Sequence, residues 1–399
     1  MRALVELERR LAAGEAVVAG VLSGTSADGI DVALTRFRPT DRDAQDVPPP
    51  ELLAFRTFPF PSGLGTRVRA VLDGKPPGSR GSYGPRAIAL LSRDLGRAFG
   101  SAARRLANAE GLRLDLVGSH GQTVWHHDGD EPSGAATLQL GDADFTAEEA
   151  GCAVVGDFRQ RDIAAGGEGA PLSALVDGLL FRELARPLAV LNLGGMGNLT
   201  LLDEPRLLAF DTGPVASLLD GLARRFLGRP LDENGRAAAR GTVHEPLVME
   251  LLDHPFFDRE PPRSTGRDTF GEAWIDEVVQ RARDLGVLGD GGPADLLRTA
   301  TAFVGATIGR ALERFATAST PRLIVAGGGV HNPVLMEEIA RRAAVETAAS
   351  SEAGVDPDAR EALVFAVLAA RAIRGLPSTR RAATGAADGR ILGRIAPAP

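Results

Sequence analysis

Residues 16–37 read AVVAGVLSGTSADGIDVALTRF, two apolar, β-branched runs joined by a turn of Ser, Gly, Thr, Ala and Asp. Runs of this kind around a glycine-containing turn predict a β-hairpin. The same grammar returns at residues 188–203 as LAVLNLGGMGNLTLLD. Two halves that each open on a glycine-turn hairpin predict two similar lobes with a cleft between them. Any α/β protein has several hairpins, so on pattern alone a duplicated lobe and a chance echo stand level.

Outward from these hairpins the chain alternates β-rich runs with Ala/Leu/Arg runs of helical period, such as Ala87 to Ala109 and Leu296 to Ala316. This is an α/β pattern. Proline, glycine and charge mark loops at Arg38 to Pro50, Gly74 to Gly84 and Ser350 to Asp358. Glycine is abundant, 48 of 399 residues against an ordinary share of ~7%. The glycines cluster at the ends of β-like runs (Gly118, Gly121, Gly141, Gly213 among them), which predicts tight turns and close approach of backbone to ligand.

Composition excludes several classes. A net charge of −7 and a pI near 5.5 argue against a nucleic-acid partner, which needs a basic face. The single lysine, Lys75, sits in GKPPG without P-loop spacing. The single cysteine, Cys152, rules out intrachain disulfides and cysteine-rich zinc sites, and the histidines lack HExxH spacing. No stretch of ~18 apolar residues and no signal-peptide core is present, so no membrane partner and a cytoplasmic location are expected.

Five runs can carry chemistry. In SGTSADGID, hydroxyls and glycine amides crowd a strand-to-strand turn and suit phosphate oxygens, with Asp28 or Asp31 able to hold a hydrated Mg²⁺; a self-satisfied hairpin is the bland alternative. In SHGQTVWH, a buried strand breaks at His120, Gln122 and Thr123, groups suited to a polar sugar. GDFRQRDIAAGGEGAPL offers Asp157, Arg159 and Asp162 before a shaped loop containing Gly167, Gly169 and Pro171; Arg–Asp pairing on a surface would explain the same charges. The strand NLGGMGNLT (Gly194, Gly195) leads to FDTGP, where Asp211 sits at a strand end in a tight turn, a fitting place for a general base. LIVAGGGVHNP brings Gly327, Gly328 and Gly329 to a helix start at Asn332, bare backbone that suits an adenine ring.

In this order the runs, together with TLQLGD, DENGRAAARG, RSTGRDTF and EALVFAVLA, resemble the anhydro-N-acetylmuramic acid kinase family of the sugar-kinase, heat-shock-protein and actin superfamily. The resemblance implies a two-lobed actin-like (ribonuclease H-like) ATPase fold with an interlobe active-site cleft, its lobes expected at 1–145 plus about 360–399 and at 146–359. It implies an ATP- and Mg²⁺-dependent kinase in cell-wall recycling. Water would open the anhydro bridge at C1 while O6 is phosphorylated, giving N-acetylmuramic acid 6-phosphate and ADP.

Carried over residue by residue, Gly24, Thr25, Ser26, Ala27, Asp28, Gly29, Ile30 and Asp31 match the nucleotide-phosphate loop. Gly194, Gly195, Gly327, Gly328, Gly329, Asn332 and Glu361 match nucleotide-side positions, and Asp28 would reach Mg²⁺ through water. Asp211 matches the catalytic base. His120, Gln122, Thr123, Asp157, Arg159, Asp162, Gly167, Gly169 and Pro171 would face the anhydro-sugar. Glu168 and Val215 depart from the family pattern, and a homodimer is compatible with the resemblance. The alternatives are another sugar kinase of the superfamily and a non-enzymatic ATP switch.

Overall fold

The computed structural model describes residues 2–399 apart from 25–26, 42, 73–83, 128, 130–133, 204–205, 290–291 and 318–321. Contacts divide the chain into two units, Met1–Phe181 with Ala359–Pro399, and Arg182–Asp358.

In the first unit the hairpin of residues 16–37 forms β1 (Val17–Ser23) and β2 (Ile30–Phe37), paired antiparallel with Leu22 opposite Asp31. Strand β3 (Pro50–Phe58) continues antiparallel on β2. On the other side β4 (Leu116–His127) runs parallel to β1, with β5 (Ala136–Leu140) as an antiparallel flap on β4. Strand β6 (Ala153–Gly156) lies parallel to β4, and the short strand Arg394–Ala396 closes that edge.

The second unit repeats the plan. Strands β7 (Leu188–Leu193), β8 (Met196–Asp203) and β9 (Arg206–Pro214) form an antiparallel meander, while β10 (Arg322–Ala326) and β11 (Thr347–Ala349) add parallel strands beyond β7. Main-path orders are β3-β2-β1-β4-β6 and β9-β8-β7-β10-β11. With the β5 flap and the edge strand Arg394–Ala396 set aside, both are 3-2-1-4-5 with only the second strand reversed, the ribonuclease H-like arrangement. The echo between residues 16–37 and 188–203 is therefore a true structural repeat, the first hairpin of each sheet.

The first divide falls at Phe181, not at 145 as the sequence suggested. Strand β6 has only four residues, all buried and apolar, and takes its register from β4. The helix Ala143–Ala150 is the crossover that returns the chain to that parallel position, capped by Asp142 accepting from the amides of Asp144 and Phe145.

Glycine placement also differs from expectation in part. Gly118 lies mid-strand in β4, and a Cβ there would fall 2.1 Å from the carbonyl oxygen of Phe365; at Gly20 of β1 the corresponding oxygen is that of Ala362, at 1.8 Å. These two glycines let the apolar helix Arg360–Ile373 lie directly on the sheet. Gly305 and Gly309 do the same between the helices Gly292–Phe315 and Pro333–Ala343, where a Cβ would meet the carbonyl oxygens of Glu338 and Arg342 at 2.9 and 2.6 Å. Part of the glycine surplus therefore serves helix packing and not turns. Each unit has its own core, built in the first around Val21, Leu34, Leu95, Phe99 and Val117, and in the second around Leu191, Phe210, Leu222, Phe270 and Phe303.

Candidate functional site

In the first unit, candidate groups gather at the C-terminal ends of β1, β4 and β6. The carbonyl oxygen of Gly24 accepts from the amide of Ala27 at 3.1 Å and from Nε2 of Gln122 at 3.1 Å, which ties the turn to β4. Ala27 is buried with φ +52°, a left-handed conformation unusual for alanine, and its carbonyl accepts from Arg69 at 3.1 Å. Asp28 is exposed at the tip. Gly29 is forced by space, since a Cβ would lie 2.9 Å from the carbonyl oxygen of Phe58, and buried Ile30 starts β2 opposite Phe58. Asp31 accepts from the hydroxyl of Thr57 at 2.6 Å. Thr25 and Ser26 lie outside the described residues.

Beside this turn sits a group of which the sequence reading singled out only Gln122. Ser23 on β1 pairs across with Gln122 on β4, and Val21 with Ser119. The hydroxyls of Ser23 and Ser119 and Oε1 of Gln122 are all buried without a hydrogen-bond partner among the described residues. Buried polar atoms of this kind are rare, and three on neighbouring strands mark a polar cradle at the strand ends. The signal was weak because a lone serine in an apolar run reads as a strand interruption.

His120, Arg159 and the 166–171 loop form one connected network. Arg159 donates from Nε to His120 Nε2 at 2.9 Å and from Nη1 to the Gly169 carbonyl at 2.8 Å. Burial, then the Arg159 charge, hold the His120 imidazole well below its ordinary range, so it is neutral. Asp162 is fully buried; its Oδ2 accepts from the Gly169 amide at 2.9 Å and its Oδ1 from the Thr384 hydroxyl at 2.8 Å. Burial pushes the Asp162 carboxyl up, opposed by those two hydrogen bonds and by Arg159.

Both Asp162 oxygens are thus engaged in shaping the loop. A Cβ at Gly167 would fall 2.3 Å from Asp162 Oδ2, and Gly169 has φ +78°, so neither position tolerates a side chain. Pro171, at the end of the loop, is buried. Asp157 adopts a left-handed conformation (φ 57°) at the head of the helix Phe158–Ile163 and pairs with Arg394 at 2.9 Å. Burial raises its carboxyl, with Arg394 pulling the other way. Thr123 accepts from Gln139 at 3.2 Å on the β5 flap.

Glu361 is half-buried in the first turn of the helix Arg360–Ile373. That turn is anchored by Arg360, whose Nε donates to Asp177 at 2.9 Å with both side chains buried. Cutting one partner of such a pair would leave an uncompensated charge inside the unit.

In the second unit, Asp211 ends the regular part of β9, opposite Asn198. It is buried, and its Oδ2 accepts from the Thr265 amide at 2.8 Å. Instead of the tight turn expected of DTGP, β9 runs on to Pro214 past a bulge after Asp211, and a Cβ on Gly213 (φ +124°) would press on Phe257 at 2.9 Å. The carbonyl oxygens of Gly194 and Gly195 accept from the amides of Val215, Ala216 and Ser217, capping the helix Ala216–Leu227. Asn332 likewise caps the helix Pro333–Ala343, its Oδ1 accepting from the Leu335 amide at 3.1 Å. These three residues therefore have a local structural task of their own.

Gly327 (φ +84°) has no room for a Cβ beside the Leu193 carbonyl at 2.8 Å, and a Cβ on Gly329 would meet the Leu193 side chain at 2.5 Å. Gly328 faces open space. Two residues near Asp211 escaped the reading of single motifs, Arg263 and Thr265 of RSTGRDTF. A buried arginine is not legible in a chain this rich in arginine. Among the described residues no group of three or more His, Cys, Asp or Glu side chains could hold a metal ion, and no helix is long and apolar enough to cross a membrane.

A sequence profile of the anhydro-N-acetylmuramic acid kinase family matches residues 16–398. The anhydro-N-acetylmuramic acid kinase of Xanthomonas oryzae is 40% identical over 386 residues, 95% of this chain and 97% of that protein. That of Gloeobacter violaceus is 37% identical over 387 residues, 95% of this chain and 98% of that protein. Among solved structures, the activator of 2-hydroxyisocaproyl-CoA dehydratase from Clostridium difficile aligns with a TM-score of 0.41 at 11% identity, covering 90% of this chain and 96% of that one.

Proposed function

This chain belongs to the anhydro-N-acetylmuramic acid kinase family and is an ATP-using sugar kinase, and from that premise we propose a hydrolytic phosphotransfer on 1,6-anhydro-N-acetylmuramic acid with Asp211 as the general base. The observation that carries the reading is the setting of Asp211. It is a buried carboxylate on β9 beside the bulge that follows its pairing with Asn198, and the Thr265 amide orients it. A base so held can accept a proton with little reorganisation.

In the proposed step Asp211 takes a proton from a water molecule whose oxygen bonds to C1. The C1–O6 bond breaks and its electron pair remains on O6. O6 then bonds to the γ-phosphorus as the bond to the ADP oxygen breaks, which yields N-acetylmuramic acid 6-phosphate and ADP. No covalent enzyme intermediate is needed, which agrees with a sole cysteine that is buried and whose thiol burial pushes up to about 12.

The turn Gly24 to Asp31 is assigned to the ATP phosphates and Gly327 to Gly329 to the adenosine, with Gly194, Gly195, Asn332 and Glu361 as neighbours of the nucleotide. His120, Gln122, Thr123, Asp157, Arg159 and the Gly167 to Pro171 loop are assigned to the sugar, with Asp162 holding that loop. Mg²⁺ bound to ATP would neutralise charge on the transferred phosphoryl group. One exposed carboxylate, Asp28, fits an ion that keeps most of its waters and needs few protein ligands.

Turnover in ¹⁸O-labelled water tests the reading. Hydrolytic opening places one label at C1 of the phosphorylated product. An unlabelled product would assign instead an ordinary kinase, in which Asp211 deprotonates a sugar hydroxyl.

A further inference from the structure

Arg263 is buried in the second unit with 2% of its surface exposed. Its Nε donates to the main-chain oxygen of Asp211 at 3.1 Å, and the Asp211 amide donates back to the Arg263 carbonyl at 3.0 Å. Two residues on, the Thr265 amide holds Asp211 Oδ2. The far side of the guanidinium, through Nη1, faces the carbonyl oxygens of Arg259, Phe257 and Phe256 at 2.7, 3.3 and 3.4 Å. Three rings surround it, Phe256, Phe210 and Phe315, with centroids at 4.9, 5.2 and 5.5 Å.

We infer that Arg263 is a positioning residue for Asp211: its guanidinium fork locks the 256–265 segment onto β9, so that the Thr265 amide stays aimed at the carboxylate. The inference rests on the proposed role of Asp211 as base. A planar fork with donors at both ends can bridge a strand and a loop at once, which a single ammonium cannot. An arginine engaged only in packing would not need to bond the base's own main chain. The location is costly: burial, then Arg314, lower the guanidinium to about 10, and Asp211 is the acidic group that offsets them. A buried cation kept beside the proposed base, and not replaced by an apolar side chain, fits a part in orienting that base.

The test compares Arg263→Lys, Asp211→Asn and the double variant in full-length enzyme, with rates expressed per folded chain counted by stoichiometric binding of an ATP analogue. Arg263→Lys is expected to lower kcat at least ~10-fold with the sugar KM changed less than ~3-fold, and to cost nothing further in the Asp211→Asn background, because both act through one carboxylate. Normal kcat per folded chain in Arg263→Lys, or a loss that multiplies fully onto that of Asp211→Asn, overturns the inference. If Asp211→Asn itself turns over normally, the base assignment fails and takes this inference with it. If only Asp211→Asn is slow, this inference alone fails. Should Arg263→Lys not fold, Phe315→Leu, which removes one ring beside the guanidinium and keeps the charge, is read on the same scale for a smaller loss in the same direction.

Discussion

Arg159 donates from Nε to His120 Nε2 at 2.9 Å, so the imidazole proton resides on Nδ1, where the Gly121 carbonyl accepts it at 3.2 Å. The ring lies 4.5 Å from that of Phe365. A histidine so enclosed is a fixed neutral group and not a proton shuttle.

Stability should therefore respond to pH in a defined direction. The folded chain resists protonating His120, whereas the unfolded chain takes up that proton below ~6.5. The contribution is complete above ~6.5 and is lost as pH falls below it; His254, also lowered by burial, acts in the same sense. Asp157 and Asp162, pushed up by burial, favour the fold as pH falls through their raised values toward 3.8. Thermal melts between about pH 7.5 and 5.5 should show Tm falling with pH, and a shallower slope in His120→Gln. Parallel slopes would show that His120 is not a source of the dependence.

Asp211→Asn changes one atom and leaves an acceptor for the Thr265 amide. Turnover should drop by at least ~10², with affinity for an ATP analogue unchanged in calorimetry. Turnover within a few-fold of the parent would remove Asp211 from the base role.

Gly118→Ala tests the close packing of helix on sheet. The added methyl meets the Phe365 carbonyl oxygen at 2.1 Å, a clash with backbone that no rotamer relieves. Overpacking of this kind costs about 1–3 kcal/mol or more. In calorimetry that is several degrees of Tm, on the order of 2–4 °C per kcal/mol for a unit of this size. An unchanged Tm would mean that the helix can lift from β4 freely.

Gly328→Ala separates a binding glycine from a structural one. A Cβ there meets nothing within 4 Å, so Tm should stay within about 1 °C. If the nucleotide lies against this bare backbone, as proposed, the ATP KM should rise several-fold while the sugar KM holds. An unaltered ATP KM would move the adenosine elsewhere.

Much of the architecture was legible in local pattern. The hairpins at 16–37 and 188–203 announced themselves through β-branched runs and glycine turns, because turn chemistry and two-residue alternation act over a few neighbours. DTGP drew notice to Asp211, although the turn expected there is a bulged continuation of β9. The boundary at Phe181 was not legible: four buried residues at 153–156 belong to the first sheet only because β4 is there to pair with them.

The sequence by itself determined the α/β class, the two hairpins at 16–37 and 188–203 and the positions where bare backbone or a carboxylate could do chemistry, while the sheet topology decided that the hairpins are a repeat. Tertiary structure alone decided which glycines pack and which turn, since Gly20 and Gly118 owe their identity to helix carbonyls more than two hundred residues away in the chain. It also decided that Asp162, Gly194, Gly195 and Asn332 spend hydrogen bonds on their own surroundings, and that Arg263 reaches Asp211. Arg263 lies 52 residues from Asp211 in the chain and Thr384 lies 222 from Asp162, and no local pattern encodes a partner brought near only by folding.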